Sequence, residues 1–258
     1  MKFRLKIYSP SLILITKSFF LILLFSLVNN IGECSIISLD NISTEKSRYD
    51  ENLINVSLGL NEIEGYKRSD TSYGFILVHG YYPPDWPTRG FEWTLALKNL
   101  ASTETPIWWF RHDWTACPEH NSFLLKKALN DLIRLNASLD SLILIGHSSG
   151  GIIVTDLAEQ WDDDFSLSVH AIAAPLLGVG YRLDDCKVKG KQEYVINEHV
   201  RFTQWRTDHM SDGLFRRFGE DPQIVAIKNG KIIILPKLYM GSRLGHNLSI
   251  QAVVDKWN

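Results

Sequence analysis

Short apolar runs alternate with segments of helical periodicity along most of the chain. Continuous apolar runs are typical of strands in a parallel sheet, because such strands are covered on both faces. The runs are Tyr73–Gly80, Pro106–Asp113, Ser141–Ser148, 167–174 and 199–205. The spacing of apolar residues predicts helices over Glu119–Ala137, 149–161 and Asn247–Trp257. This alternation predicts an α/β fold in which a mostly parallel sheet carries helices on both faces.

Three regions depart from this alternation. Residues 35–70 are polar and irregular, which predicts an N-terminal segment ahead of a domain at 71–258. Residues 181–198 are rich in charged side chains and are the best candidate for a small cap insertion. Two apolar runs flank Lys228-Asn229-Gly230, and this arrangement predicts a β-hairpin.

The first 34 residues have the pattern of a targeting segment. The first ten residues carry three basic and no acidic residues, an apolar stretch is densest over 18–28, and the small residues Gly32 and Cys34 follow. This order predicts a secretory signal peptide, and so a secreted or periplasmic protein. The alternative is a membrane anchor formed by residues 11–28. Lys17 interrupts that stretch, and the uninterrupted part is shorter than the roughly 20 residues that span a bilayer.

Composition and charge narrow the function classes. With 258 residues, 45% of them hydrophobic, the chain can bury a sizeable core, which excludes disordered and collagen-like proteins. The net charge of -2 gives no basic face for nucleic acid. Without residues 1–34 the chain keeps 23 basic and 28 acidic residues, a net charge of -5. It also keeps Cys117 and Cys186, which in an exported protein could form a disulfide or remain two buried thiols.

The strongest motif is Gly-His-Ser-Ser-Gly-Gly at Gly146–Gly151, a GxSxG pattern between an apolar strand and a helix. A nucleophile elbow needs this context, since the serine occupies a sharp strand-to-helix turn and small neighbours leave room for it. The helix that follows offers free N–H groups to an oxyanion. A flexible Ser/Gly loop is the alternative interpretation.

From about Tyr73 to Trp257 the chain resembles the α/β-hydrolase superfamily, in particular its secreted lipases and esterases. The resemblance depends on His79-Gly80 after an early strand, on the motif around Ser148, and on Leu244–Asn247 before the last helix. It implies a catalytic triad in the chain order Ser, acid, His.

The resemblance implies that Ser148 is the nucleophile and His246 the base, because an unassisted hydroxyl is a poor nucleophile. His209 is the only rival base. The acid is Asp208 or Asp212, and the usual spacing from the end of the strand slightly favours Asp208. A metal site at Asp208, His209 and Asp212 lacks a ligand from another segment, so we expect no metal and no cofactor.

The same resemblance implies an oxyanion hole formed by the backbone N–H groups of Tyr81 and Ser149. The residues expected to border the substrate are His79, Gly80, Tyr82 and His147.

Together these features predict a serine hydrolase that cleaves carboxylic esters of small molecules or lipids through an acyl-enzyme, with a transient lipid-surface contact as an option. One alternative is a thioesterase, amidase or acyltransferase that uses the same triad. An alternative of another class is a non-catalytic binder of hydrophobic ligands.

Overall fold

The computed structural model describes residues 35–42, 50–82, 86, 89–178, 186 and 190–257. Its strands are β1 (Ile36–Ser38), β2 (Gly59–Glu64), β3 (Tyr73–Val78), β4 (Ile107–Arg111), β5 (Ser141–His147), β6 (Ser166–Ile172), β7 (Glu193–Val195), β8 (Val200–Arg206), β9 (Ala226–Lys228), β10 (Gly230–Ile234), β11 (Leu238–Tyr239) and β12 (Ser242–Arg243). Its α-helices are α1 (Thr94–Ala101), α2 (Pro118–Leu135), α3 (Ser149–Gln160) and α4 (Leu248–Val254).

Eight strands form the main sheet in the order β1–β2–β4–β3–β5–β6–β8–β10. The pair β2–β4 is antiparallel, and the other neighbours in the order run parallel. The carboxyl ends of β3, β5, β6 and β8 therefore meet at one edge, where ligands bind in open sheets of this kind. The predicted α/β class with a mostly parallel sheet is confirmed.

Both faces of the sheet are buried. Along β3, Phe75 and Leu77 enter one apolar cluster, whereas Ile76 and Val78 enter the other. This alternation has the two-residue period of a strand and explains why the sequence of β3 is apolar without a break. Residues of α1 and α4 belong to the first cluster, and residues of α2 and α3 belong to the second. The prediction of helices on both faces is also confirmed.

Residues 35–70 were predicted to be an irregular polar segment ahead of the domain, but two stretches of this segment are strands. Both β1 and β2 are strands of the main sheet. The stretch between them buries Leu53, whose carbonyl accepts a hydrogen bond from Trp109 Nε1 at 2.8 Å. The pattern is hard to recognise because β2 buries only Asn61 and Ile63, at alternate positions of a largely polar strand.

The predicted hairpin around Lys228-Asn229-Gly230 is also absent. β9 pairs in parallel with β7, whereas β10 pairs in parallel with β8. Asn229 lies between them with a left-handed backbone (φ 60°). The turn therefore passes the chain from a small two-stranded sheet to the edge of the main one.

The remaining predictions on chain organisation concern segments that are described only in part. The predicted targeting segment, 1–34, lies outside the described residues, and so do 181–185 and 187–189 of the predicted insertion. Cys186 is buried and forms a disulfide with Cys117, across a Cα–Cα distance of 5.4 Å. In the described part of the chain, the longest helices are too short or too polar to cross a membrane.

Candidate active site

Ser148 has a strained backbone at the junction of β5 and α3. Its φ of 55° and ψ of -120° lie in a region that residues with a side chain rarely adopt, at a cost of order 1–3 kcal/mol. Two hydrogen bonds fix the turn: Ser148 N donates to Ile172 O, and Gly151 N donates to Ser148 O, each at 2.9 Å. The turn brings the serine to the edge of the sheet where the parallel strands end.

The glycines of the motif make this turn sterically feasible. A Cβ on Gly146 would lie 2.4 Å from Gly150 O, and one on Gly150 would lie 2.3 Å from Val78 O. A Cβ on Gly151 would lie 2.5 Å from Ala174 Cβ. Each of these distances is shorter than a van der Waals contact, so the spacing GxSxGG is a packing requirement of the site.

A strained serine between a central parallel strand and a helix has the geometry of a nucleophile elbow. It lies here in a mostly parallel sheet of eight strands, with helices on both faces. The chain has an α/β-hydrolase fold. The contacts of the other candidate site residues follow.

His246 directly precedes the last helix, and its ring faces an aspartate. Its Nδ1 lies 3.0 Å from Asp212 Oδ2, and its side chain is 12% exposed. The ring makes a T-shaped contact with Phe215, with 4.8 Å between ring centres. The carboxylate accepts a hydrogen bond from Nδ1–H. The Nε2 atom of the neutral imidazole therefore keeps a free lone pair that can accept a proton.

Asp212 is fully buried and is hydrogen-bonded through both oxygens. Oδ2 also accepts from Thr207 Oγ1 at 2.7 Å, and Oδ1 accepts from the N–H groups of Leu214 and Phe215 at 2.9 and 3.0 Å. Burial raises the pKa of Asp212, but the contacts with His246, Phe215 and Thr207 outweigh it and lower the pKa to about 2. The carboxylate is therefore ionised and held in one orientation.

Asp208, which the spacing slightly favoured as the acid, does not contact His246, and this preference is corrected. Its Oδ1 accepts from Ser211 N at 2.9 Å, and its Oδ2 lies 3.5 Å from Lys237 Nζ. Through the hydrogen bond from Ser211 N, the Asp208 side chain caps a turn. The same hydrogen bond lowers the pKa of Asp208. His209, the rival base, is bonded through Nε2 to Phe215 O at 2.8 Å.

His147 connects the elbow to the segment that carries His246. Its Nε2 lies 3.0 Å from His246 O, and the two ring centres are 4.6 Å apart. Burial, together with the nearby His246, lowers the pKa of His147 to about 3, so the ring is neutral and donates through Nε2. This residue was expected to border the substrate; since it is only 2% exposed, we assign it instead to positioning His246.

His79 and Tyr82 were also expected to border the substrate, and both are buried. The ring of His79 stacks between Tyr82 and His112, with centres 5.1 and 4.0 Å away. His79 Nδ1 donates to Gly80 O at 2.7 Å, and His79 Nε2 accepts from His112 N at 3.2 Å. These contacts hold the loop after β3 in place.

The loop after β3 reaches the elbow at Gly80. A Cβ there would lie 3.2 Å from Ser148 Cβ, so the backbone of this loop passes directly beside the serine. Ser149, at the start of α3, has a buried hydroxyl with no hydrogen-bond partner among the described residues. The Ser148 hydroxyl is likewise without a hydrogen bond to any residue that the structure describes.

Three buried residues of this region carried no recognisable sequence signal. His112 supports His79, Thr207 bonds the carboxylate of Asp212, and Gln223 accepts from Thr207 N at 2.9 Å through Oε1. None of them belongs to a motif, and the contacts of His112 and Gln223 are with residues 33 and 16 positions away in sequence. Such roles become visible only when the fold brings the segments together.

Comparisons with known proteins give remote structural similarities. No family model matches the chain, and no curated protein matches it. The poly(3-hydroxybutyrate) depolymerase LpqC from Bordetella parapertussis is 13% identical, with a TM-score of 0.48 over 77% of this chain and 82% of that one. Est1E from Butyrivibrio proteoclasticus, with ferulic acid bound, is 12% identical, with a TM-score of 0.48 over 77% and 92%. Because these similarities are remote, the fold assignment depends on the sheet and the elbow.

Proposed function

We propose that the protein is a serine hydrolase that cleaves carboxylic esters. Ser148 attacks the ester carbonyl, and His246 Nε2 accepts the proton of its hydroxyl and later gives it to the leaving alcohol. Asp212 holds the imidazole in the required tautomer and stabilises its charged form. A water activated by His246 then releases the acyl group from Ser148.

The observation that carries this proposal is the combination of a strained serine with a histidine–aspartate pair beside it. His147, which directly precedes Ser148 in sequence, contacts the backbone of His246, the proposed base. A strained backbone persists only when the surrounding structure holds it in place, and such strain concentrates at functional sites. Among the described residues no hydrogen bond competes for the Ser148 hydroxyl, and catalytic bonds are often long before substrate binds.

Backbone N–H groups are the candidates for the oxyanion hole. Ser149 N follows the nucleophile at the positive end of α3, and Tyr81 N follows Gly80, whose backbone passes beside Ser148. Donors of this kind stabilise the negative charge of the tetrahedral intermediate, and loss of one costs roughly 10²–10³-fold in kcat.

The proposal is tested with Ser148→Ala on p-nitrophenyl acetate and butyrate. Turnover and labelling of the protein by a fluorophosphonate probe should both disappear, with unchanged circular dichroism. Ser141→Ala, at the start of the same strand, is the control and should retain both signals. Turnover that survives in Ser148→Ala would show that another group performs the chemistry.

A further inference from the structure

A pocket of about 350 Å³ opens beside His246. Its lining includes Leu214 and Arg217, which follow Asp212 in sequence, and Arg243 together with the residues from His246 to Leu248. The pocket therefore lies between the segment that carries the acid and the segment that carries the base. A group bound in it would lie next to the imidazole.

Of the residues that the structure describes, two arginines and no acidic residue line this pocket. Arg217 is the last residue of the 3-10 turn Phe215–Arg217, and Arg243 belongs to β12; both are exposed. Neither guanidinium forms a salt bridge with any residue of the described part of the chain. By contrast Lys237, from the same C-terminal region, lies 3.5 Å from the carboxylate of Asp208.

This local positive charge contrasts with the rest of the protein. Residues 35–258 have a net charge of -5, so the molecule as a whole repels an anion. Guanidinium groups match carboxylate and phosphate geometry, and two of them line this one pocket. Leu214 and Leu248 add apolar wall for the carbon skeleton of a ligand.

We propose that Arg217 and Arg243 form an anion subsite, so that the preferred ester carries a negatively charged group on its acyl or its alcohol side. This inference depends on the proposed ester hydrolysis and specifies its substrate class. Binding of the anion between the two arginines would hold the ester beside His246. The arginines would then act on binding and orientation and not on the chemical steps.

The test compares matched charged and neutral esters. For the acyl side the pair is mono-p-nitrophenyl succinate and p-nitrophenyl butyrate; for the alcohol side it is 4-acetoxybenzoate and phenyl acetate. The protein should show a higher kcat/KM for the charged member of one pair. Arg217→Ala and Arg243→Ala should each lower that kcat/KM by about tenfold, the usual effect of losing a hydrogen bond to a charged group, and leave the neutral ester nearly unchanged.

Arg216→Ala provides the matched control. Arg216 lies in the same turn as Arg217, and its substitution removes the same charge. Arg216 does not line the pocket. Its kcat/KM for the charged ester should stay close to that of the unmodified protein. A loss in Arg216→Ala equal to that in Arg217→Ala would show a general charge effect and would overturn the subsite.

Two further outcomes separate the subsite from the proposed function. Equal kcat/KM for charged and neutral esters in both pairs, with Ser148-dependent turnover intact, overturns the subsite alone. If no ester is turned over, the proposed function fails, and the subsite is tested by calorimetry of Ser148→Ala with monomethyl succinate. Binding that is lost in Ser148→Ala/Arg217→Ala/Arg243→Ala supports the subsite, and no binding before those changes overturns it.

Discussion

Asp212 Oδ2 lies 3.0 Å from His246 Nδ1, across 34 residues of sequence and at the centre of a fully satisfied hydrogen-bond set. The same carboxylate accepts from Thr207 Oγ1 and from two backbone N–H groups. These bonds fix the carboxylate before any substrate arrives, and the carboxylate in turn fixes the imidazole. Asp212 therefore has the position relative to His246 that the acid of a serine triad requires.

Asp212→Asn should lower kcat by about 10³–10⁴-fold, because the amide favours the wrong tautomer of His246. Asp208→Asn is the control, since its side chain caps a turn and does not contact the base. Steady-state hydrolysis of p-nitrophenyl butyrate measures both variants. An equal loss in the two, or a larger loss in Asp208→Asn, would reverse the assignment of the acid.

Stability should depend on acid pH through Asp212. Its pKa is lowered from 3.8 to about 2 in the folded protein, so the carboxylate stabilises the fold above pH 4 and this contribution is lost as the pH falls towards 2. The shift corresponds to about 2 kcal/mol of unfolding free energy. Urea unfolding at pH 7, 4 and 2.5 should show the difference between the protein and Asp212→Asn shrinking with acid.

The control for this pH series is Asp140→Asn, which alters an exposed carboxylate just before β5. Its unfolding free energy should differ from that of the unmodified protein by a nearly constant amount over the same range. A constant difference for Asp212→Asn as well would mean that this carboxylate contributes nothing to the pH dependence.

The fold was predictable wherever burial on both faces produced an unbroken apolar run, as in β3 and β5. It was not predictable where a strand buries only one residue in two, as in β2, or where the partner of a strand is set by distant contacts, as in β9 and β10. The pattern of apolar residues along a strand indicates which of its residues are buried. Strand pairing, by contrast, depends on the whole sheet.

At the site, the sequence identified the residues whose local context is special. Ser148 lies in a motif that its own steric environment requires, and His246 precedes a helix after the last strands. The choice between Asp208 and Asp212 could not be made, because both follow β8 and only the path of the intervening turn decides which one faces the imidazole. His79 and Tyr82 were expected to border the substrate, but position in a motif does not reveal burial, and both side chains are buried.

His147 should influence catalysis through His246 without touching the substrate. His147→Ala removes the hydrogen bond to His246 O, and a displacement of the base by about 1 Å can cost 10²-fold in rate. His147→Gln, whose amide reaches to a similar distance, should restore most of kcat. A change in KM with kcat intact, or the same loss in both variants, would contradict a positioning role.

The disulfide should contribute strongly to stability. Cys117 and Cys186 are 69 residues apart in sequence, and closing a loop of that length stabilises the folded state by about 4 kcal/mol in the chain-entropy model. Cys117→Ser/Cys186→Ser should therefore unfold at lower guanidinium concentration. Peptide mapping without reductant should recover the two cysteines in one linked fragment; alkylation of both in the denatured, unreduced protein would exclude the bond.

Gly150→Ala should destabilise the fold through the backbone of the elbow. The added Cβ would lie 2.3 Å from Val78 O and 2.4 Å from His79 O, and both contacts are with backbone atoms that cannot move without shifting the loop after β3. Overpacking of this kind costs about 1–3 kcal/mol. Because that loop carries Tyr81, ester hydrolysis should fall together with the melting temperature.

Gly219→Ala is the control, since an added Cβ there meets no atom within 4 Å. A Gly150→Ala protein as stable and active as Gly219→Ala would mean that the elbow has more room than its contacts indicate, and that the glycine at this position is not required by packing.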